Sequence, residues 1–230
     1  MAVRPLFIPN EDFVGVTEKL IDFQWFPGLS ASQKKRSIEA LHSVVQKLGY
    51  KKILEISSKS EVELGVNLSA FNLKIKTKKY GNEFTVETAF QGSKVFERGG
   101  PYKDLFGLDS RAAKKDIRLK ESGNLVEFEF FGKKFPLVPR TYFYDWIYIN
   151  ALHQNVSLSD EVKSYQCFTD IEFNPKKSIN CQAHAVALYL SLFKLELLEE
   201  ALESPDSFLK YTKEHYEKQR RNIGVQDSLV

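Results

Sequence analysis

Apolar residues recur along the chain with two periods, three-to-four and two, and these predict most of its elements. Ile38, Leu41, Val45 and Leu48 form a helical stripe. Ser30 is a natural N-cap for it, Gln33 completes a capping box, and Gly49 ends the segment. Lys52 to Ile56 reads as a short strand, and Leu73 to Lys79 alternates apolar residues with lysine as a half-exposed strand would. A turn at Tyr80-Gly81-Asn82 leads through Phe84-Thr85-Val86 into a helix predicted from about Glu87 to Arg98, which Gly99-Gly100-Pro101 stops. Ser110 to Leu119 has the composition of a short basic helix. Leu125 to Phe131 is the best strand, turned by Gly132-Lys133-Lys134 into Phe135-Pro136-Leu137. The aromatic run Tyr142 to Tyr148 predicts a buried helix. Val186, Leu190, Phe193 and Leu197 predict a long amphipathic helix from Cys181 to Glu200, and a polar helical tail follows Pro205. Without regular βαβ alternation the class is α+β, helix-rich with short antiparallel strands. With no repeats or low-complexity linkers, residues 1–230 read as one domain whose helical tail starts at about 205.

Composition narrows this little. The 230 residues carry a formal charge of +3, too small to argue for nucleic acid by itself. The lysine cluster Lys74, Lys76, Lys78 and Lys79 either makes a basic face or decorates a solvated one. Cys167 and Cys181 provide neither a disulfide framework nor paired zinc spacing, so two buried free thiols are expected. His42, His153, His184 and His215 are scattered in sequence, and neither a metal nor a cofactor is expected. The Met1 to Pro9 segment has too short an apolar stretch for a signal peptide, and no run suits a membrane span. A cytoplasmic location is the expectation.

The sharpest chemistry lies in Thr85 to Phe96. On a continuous helix, Glu87, Gln91, Lys94 and Arg98 would share one face. On pattern alone this reads as a solvent-facing stripe stabilised by side-chain pairs. Its flanks, however, are rich in residues that let backbone approach a ligand: Leu64 to Asn72 upstream and Gly99-Gly100-Pro101-Tyr102 downstream.

These pieces resemble the NADAR family, which includes the YbiA-like proteins. Its Glu-x-x-Phe-Gln-x-x-Lys helix motif is matched by Glu87, Phe90, Gln91 and Lys94. Its Gly-x-Phe-Ser-Asn-Phe element is echoed loosely by Gly65, Ser69, Phe71 and Asn72. The chain departs from the pattern at Thr88, where many members have histidine, and in the spacing that leaves Asn72 beyond its Phe. The chain is more similar still to the NADAR antitoxins paired with DarT-type DNA ADP-ribosyltransferase toxins. That likeness extends through Arg4 to Pro9, Ser32 to Lys35, Phe90 to Tyr102, Phe143 to Trp146 and Phe168 to Pro175.

The resemblance implies an N-glycosidase that removes ADP-ribose from guanine bases in DNA, with ADP-ribosylated DNA as substrate and a DarT-type toxin as a further partner. It also implies that Lys94 is the catalytic lysine. Glu87 suits the carboxylate that stabilises positive charge at the anomeric carbon. A neutral Lys94 could capture ribose C1 as a Schiff base, which requires burial or a neighbouring cation such as Arg98. A charged Lys94 would instead pair with Glu87 or the diphosphate. Candidate substrate contacts are Gln91 for ribose hydroxyls, Ser69, Phe71, Asn72, Gly99, Gly100 and Tyr102 around the backbone, and Asp145 with Trp146 for a base. Asp170 and Glu172 either line a cleft or begin a turn. Lys176 and Lys177 are candidate phosphate contacts. Two other readings stand beside this one: a non-catalytic protein that binds ADP-ribose, modified DNA or the toxin, and an N-glycosidase of a riboflavin-pathway intermediate.

Overall fold

The first two strands pair along their whole length. In the computed structural model, which describes residues 1–28, 30–77, 81–176 and 178–219, β1 (Ala2–Pro9) and β2 (Val16–Phe23) run antiparallel from Ala2↔Phe23 to Pro9↔Val16. The hydrophobic pattern misses β1 because Pro5 and Pro9 read against a strand. They are tolerated because the other edge of β1 pairs with β9 (Cys167–Thr169) only at Phe7↔Phe168, so little of that edge needs a ladder donor. Helix α1 (Ala31–Lys47) starts where expected, with Ser30 Oγ accepting the Gln33 N–H. Its Ile38, Leu41 and Val45 pack on Leu6, Ile21 and Phe23 as one apolar cluster.

Strand β3 (Ile53–Glu55) adds to β9 in parallel, giving a four-stranded sheet in the order β2-β1-β9-β3. A short α2 (Glu63–Asn67) precedes the hairpin β4 (Lys74–Lys76) and β5 (Glu83–Thr85). The predicted alternation survives there, with Ile75 buried between exposed Lys74 and Lys76, whereas Lys78, Lys79 and Tyr80 lie outside the described residues.

Helix α3 (Val86–Gly92) then gives way to β6 (Lys94–Phe96), which joins β7 (Leu125–Phe130) and β8 (Lys133–Phe135) in an antiparallel sheet. Between β6 and β7, the single basic helix expected from Ser110 is two: α4 (Ser110–Lys114) and α5 (Arg118–Glu121). Asp116 interrupts them, because its carboxylate accepts from the backbone N–H and Nε of Arg118 and starts a new turn.

The larger core surrounds α6 (Tyr142–Gln154) and α8 (Gln182–Lys194), with α7 (Val156–Val162) on its flank. Helix α6 is apolar nearly all round, as its aromatic run predicts, and Phe143 stacks on Phe128 at 4.7 Å. The long helix expected to Glu200 instead ends at Lys194. Glu196 takes φ 60°, and the chain restarts as α9 (Leu198–Leu202). The predicted polar tail is the docked helix α10 (Pro205–Lys218): Phe208 and Tyr216 are buried, and the Tyr142 hydroxyl donates to Pro205 O at 2.7 Å. Among the described residues no helix is long and apolar enough to cross a membrane.

Candidate functional site

Thr85 caps α3, and this decides what the helix presents. Its Oγ1 accepts the Thr88 N–H, while Thr88 Oγ1 accepts the Thr85 N–H and donates to Thr85 O. Thr88, at the position where a histidine would sit, is therefore spent on the cap and fully buried. Thr85 Oγ1 also meets Ser110 Oγ at 2.7 Å, and Ser110 Oγ donates to Phe71 O, tying three segments together. Glu87 N donates to Ala70 O at 2.9 Å.

One turn on, Glu87 and Gln91 share a helical face, and Gln91 Nε2 donates to Glu87 Oε1 at 2.9 Å. Lys94 does not continue that face. The helix ends at Gly92, and Lys94 opens β6 opposite Phe128. The predicted association of acid and amine thus survives through a helix-to-strand junction. Both line a cavity of about 370 Å³ with Phe71, Phe90, Lys114, Tyr144, Asp170 and Asn180 among its walls. Lys94 Nζ lies 5.1 Å from the Phe90 ring centroid. Burial depresses its ammonium to a pKa of about 8, with Lys114 adding to the shift and Glu87 opposing it. Arg98, expected on this stripe, turns away and donates to Glu121 O at 2.8 Å. The cation beside the pair is Lys114, whose Nζ lies 3.6 Å from Glu87 Oε1 and over the Phe71 ring.

A second carboxyl enters the same cavity from the loop after β9. Asp170 is buried, and its Oδ1 accepts the N–H groups of Glu172 and Phe173 at 3.0 and 3.1 Å. Desolvation holds its pKa well above the usual carboxylate range, and the nearby buried Glu55 raises it further. Glu55 is raised by burial as well, although Ile171 N and Thr169 Oγ1 donate to its two oxygens. His42 Nε2 meets Thr169 Oγ1 at 2.9 Å, and burial lowers that imidazole to about 4. Gln91 Oε1 and Asn180 Oδ1 are buried without a hydrogen-bond partner among the described residues. Two orphan acceptors in one cavity mark places for ligand donors.

A second cavity of about 620 Å³ adjoins the first, sharing Phe71, Lys114, Glu172 and Gln182. Its other walls include Ser57, Ser69, Asn72 and Arg111. Gln182 fixes the join, donating to Ile56 O and accepting from Ala70 N. Gly65, from the upstream motif, serves packing: a Cβ there would come within 2.0 Å of Glu55 O.

The remaining sequence candidates lie elsewhere. Gly99, Gly100 and Tyr102 brace the turn behind β6 rather than lining the cavity: Phe96 N donates to Gly99 O at 2.7 Å, and the Tyr102 and Ser122 hydroxyls meet. Asp145 is fully buried, accepting from the Tyr216 hydroxyl at 3.1 Å with His184 Nδ1 at 3.5 Å. His184 and His215, scattered in sequence, stack with ring centroids 5.2 Å apart beside it. Trp146 packs on Phe208 and faces a different, apolar hollow. Their neighbour Tyr144 is the member of that segment that reaches the cavity. Lys176 is exposed, and Lys177 lies outside the described residues. Among the described residues no group of three or more His, Cys, Asp or Glu could hold a metal. Lys114, Asn180 and Gln182 escape sequence reasoning because each reaches the cavity from an element distant in sequence.

Gly100 offers a local test. At φ 89° its Cβ position lies 2.2 Å from Lys94 O. Gly100→Ala should therefore cost about 1–3 kcal/mol in strain and displace β6. Thermal unfolding should shift downward together with a loss of ligand affinity, whereas an unchanged midpoint would remove Gly100 from any supporting role.

In comparisons with known proteins, the family model NADAR-DarT1, described as DarT1-associated NADAR antitoxin, matches residues 2–222. No curated protein matches the chain.

Proposed function

The chain belongs to the DarT1-associated NADAR antitoxin family, and on that footing we propose that it is an N-glycosidase that removes ADP-ribose from guanine in DNA. The observation that carries this reading is an amine of depressed basicity held beside a buried carboxylate in a sugar-sized cavity.

Each residue takes a role its surroundings support. Glu87 faces the positive charge that develops at ribose C1 as the glycosidic bond weakens. The neutral Lys94 amine attacks C1 and displaces the base, which leaves with the C1–N bonding pair and takes up a proton. The C1–O4′ bond then breaks as O4′ takes the proton lost from the Lys94 nitrogen, giving a Lys94–C1 imine that water hydrolyses to free the amine and ADP-ribose. Asp170, kept protonated by burial and by Glu55, is suited to give the base that proton. Gln91 Oε1 and Asn180 Oδ1 accept from ribose hydroxyls. The adjoining cavity, with Arg111, Lys114 and several hydroxyls, suits the diphosphate and adenosine. No step needs a metal or cofactor.

The test is incubation with an oligonucleotide carrying ADP-ribosylated guanine. Free ADP-ribose and unmodified DNA are expected. Tight ADP-ribose or toxin binding with the adduct left intact would instead establish the non-catalytic reading, and cleavage confined to a phosphorylated riboflavin-pathway intermediate would establish the third.

A further inference from the structure

Beside the cavity mouth, three cations gather around two half-buried aromatic rings. Arg4 lies 5.2 Å and Lys34 4.9 Å from the Trp25 ring centroid, and the Arg36 guanidinium lies 4.0 Å from that of Phe26. The rings are held from within: Trp25 packs edge-on against Phe23, and Phe26 exchanges backbone hydrogen bonds with Ser37 Oγ. Two contacts join the cluster to the site. Lys34 Nζ pairs at 3.1 Å with Glu172, which lines both cavities, and Arg4 Nε donates to Ile171 O, next to Asp170. Lys35 completes the patch and pairs at 3.3 Å with Glu61, just past the serine loop that lines the second cavity. Glu172 and Glu61 thus pair with Lys34 and Lys35, the Asp170, Glu172 and Glu55 carboxylates act on Arg4, and Arg36 lies on the Phe26 ring.

We propose that this Trp25/Phe26/Lys35/Arg36 surface is the track for the single-stranded nucleic acid flanking the modified base. The proposal rests on the glycosidase reading. A base delivered into the first cavity carries its strand past the rim that Glu172 forms, so neighbouring phosphates must pass something close to that rim. Cations already ordered by aromatic faces lose less freedom on meeting phosphate than free lysines do. An Arg–Phe stack also offers a planar face on which a flanking base can lie. A protein partner would be expected to bury an apolar centre, but here the aromatic rings are capped by charge.

Two substrates separate the surface from the chemistry: ADP-ribosylated guanosine alone, and the same adduct within a single-stranded oligonucleotide. Arg36→Ala, Lys35→Ala/Arg36→Ala and Trp25→Phe should each lower kcat/KM on the oligonucleotide, by about tenfold for the double variant, while leaving the nucleoside substrate unchanged. Binding of an unmodified fluorescent oligonucleotide should weaken in parallel, and its log–log salt slope should fall by about 0.7 for each phosphate contact removed. Equal effects on both substrates, no effect on either, or lost toxin binding with intact oligonucleotide turnover would overturn the proposal. Should the wild type cleave neither substrate, the glycosidase reading fails, and the oligonucleotide binding still decides whether the surface holds DNA.

Discussion

Lys94→Ala should abolish release of ADP-ribose from guanine-modified DNA, a loss on the order of 10³-fold or more, while leaving the thermal midpoint nearly unchanged. Lys94→Arg distinguishes two roles that alanine merges. Arginine keeps the positive charge but cannot deprotonate, so a lysine acting as an anchor would be partly replaced and a nucleophile would not. With its pKa at about 8, roughly one amine in ten is neutral at pH 7. Turnover should accordingly rise with pH until the amine is about half neutral, near pH 8. Above that, ionisation of Asp170 should pull it down, and Asp170→Asn should lower the peak and erase that alkaline limb. Borohydride added during turnover should reduce the imine and fix one ribose-bearing adduct on Lys94. A Lys94→Arg enzyme that retains wild-type rate, or an activity that falls as pH rises from 6 to 8, would sink the nucleophile.

Asp145→Ala is expected to damage the fold and spare the chemistry. Its carboxylate accepts from the Tyr216 hydroxyl of α10 and faces His184 of α8, all in the larger core. Truncation removes the carboxylate that accepts from the Tyr216 hydroxyl and opens a void beside His184, at a cost of roughly 3–5 kcal/mol. For a chain of this length that corresponds to a fall of about 6–20 °C in the unfolding midpoint. At a temperature where the variant stays folded, its kcat should match the wild type. A variant of unaltered stability that had lost turnover would return Asp145 to the catalytic apparatus.

These two residues also show what the sequence made legible. Glu87, Gln91 and Lys94 were recognisable as a set because a short motif fixes their identity and order. The route by which they meet was not, because an unbroken helix through Lys94 also satisfies the local pattern. Only pairing with Phe128, over thirty residues away, draws Lys94 into a strand. Asp145 stood out as an acid in an apolar run that needed a partner, which is true. Its neighbours are His184 and the Tyr216 hydroxyl, on helices distant in sequence. The helical stripe of α1, the strand β7 and the aromatic α6 were readable because burial on one face, or all round, leaves a periodic trace. Strand β1 left none, since its prolines imitate a loop. Lys114 and Asn180 were invisible for a further reason: a cavity is assembled from loop and helix ends whose spacing in sequence follows no period.

The junction between α3 and β6 carries a consequence for how this protein can vary. Side chains of a strand alternate between its two sides, so the parity of the residue count from Gly92 onward decides whether the Lys94 amine looks inward or out. A single added or deleted residue at Ser93 would leave every chemical group in place on paper and turn the Lys94 amine to the other side, whereas Glu87, upstream on its helix, would not move. Length at that one position is therefore as much a determinant of the centre as the identity of the lysine.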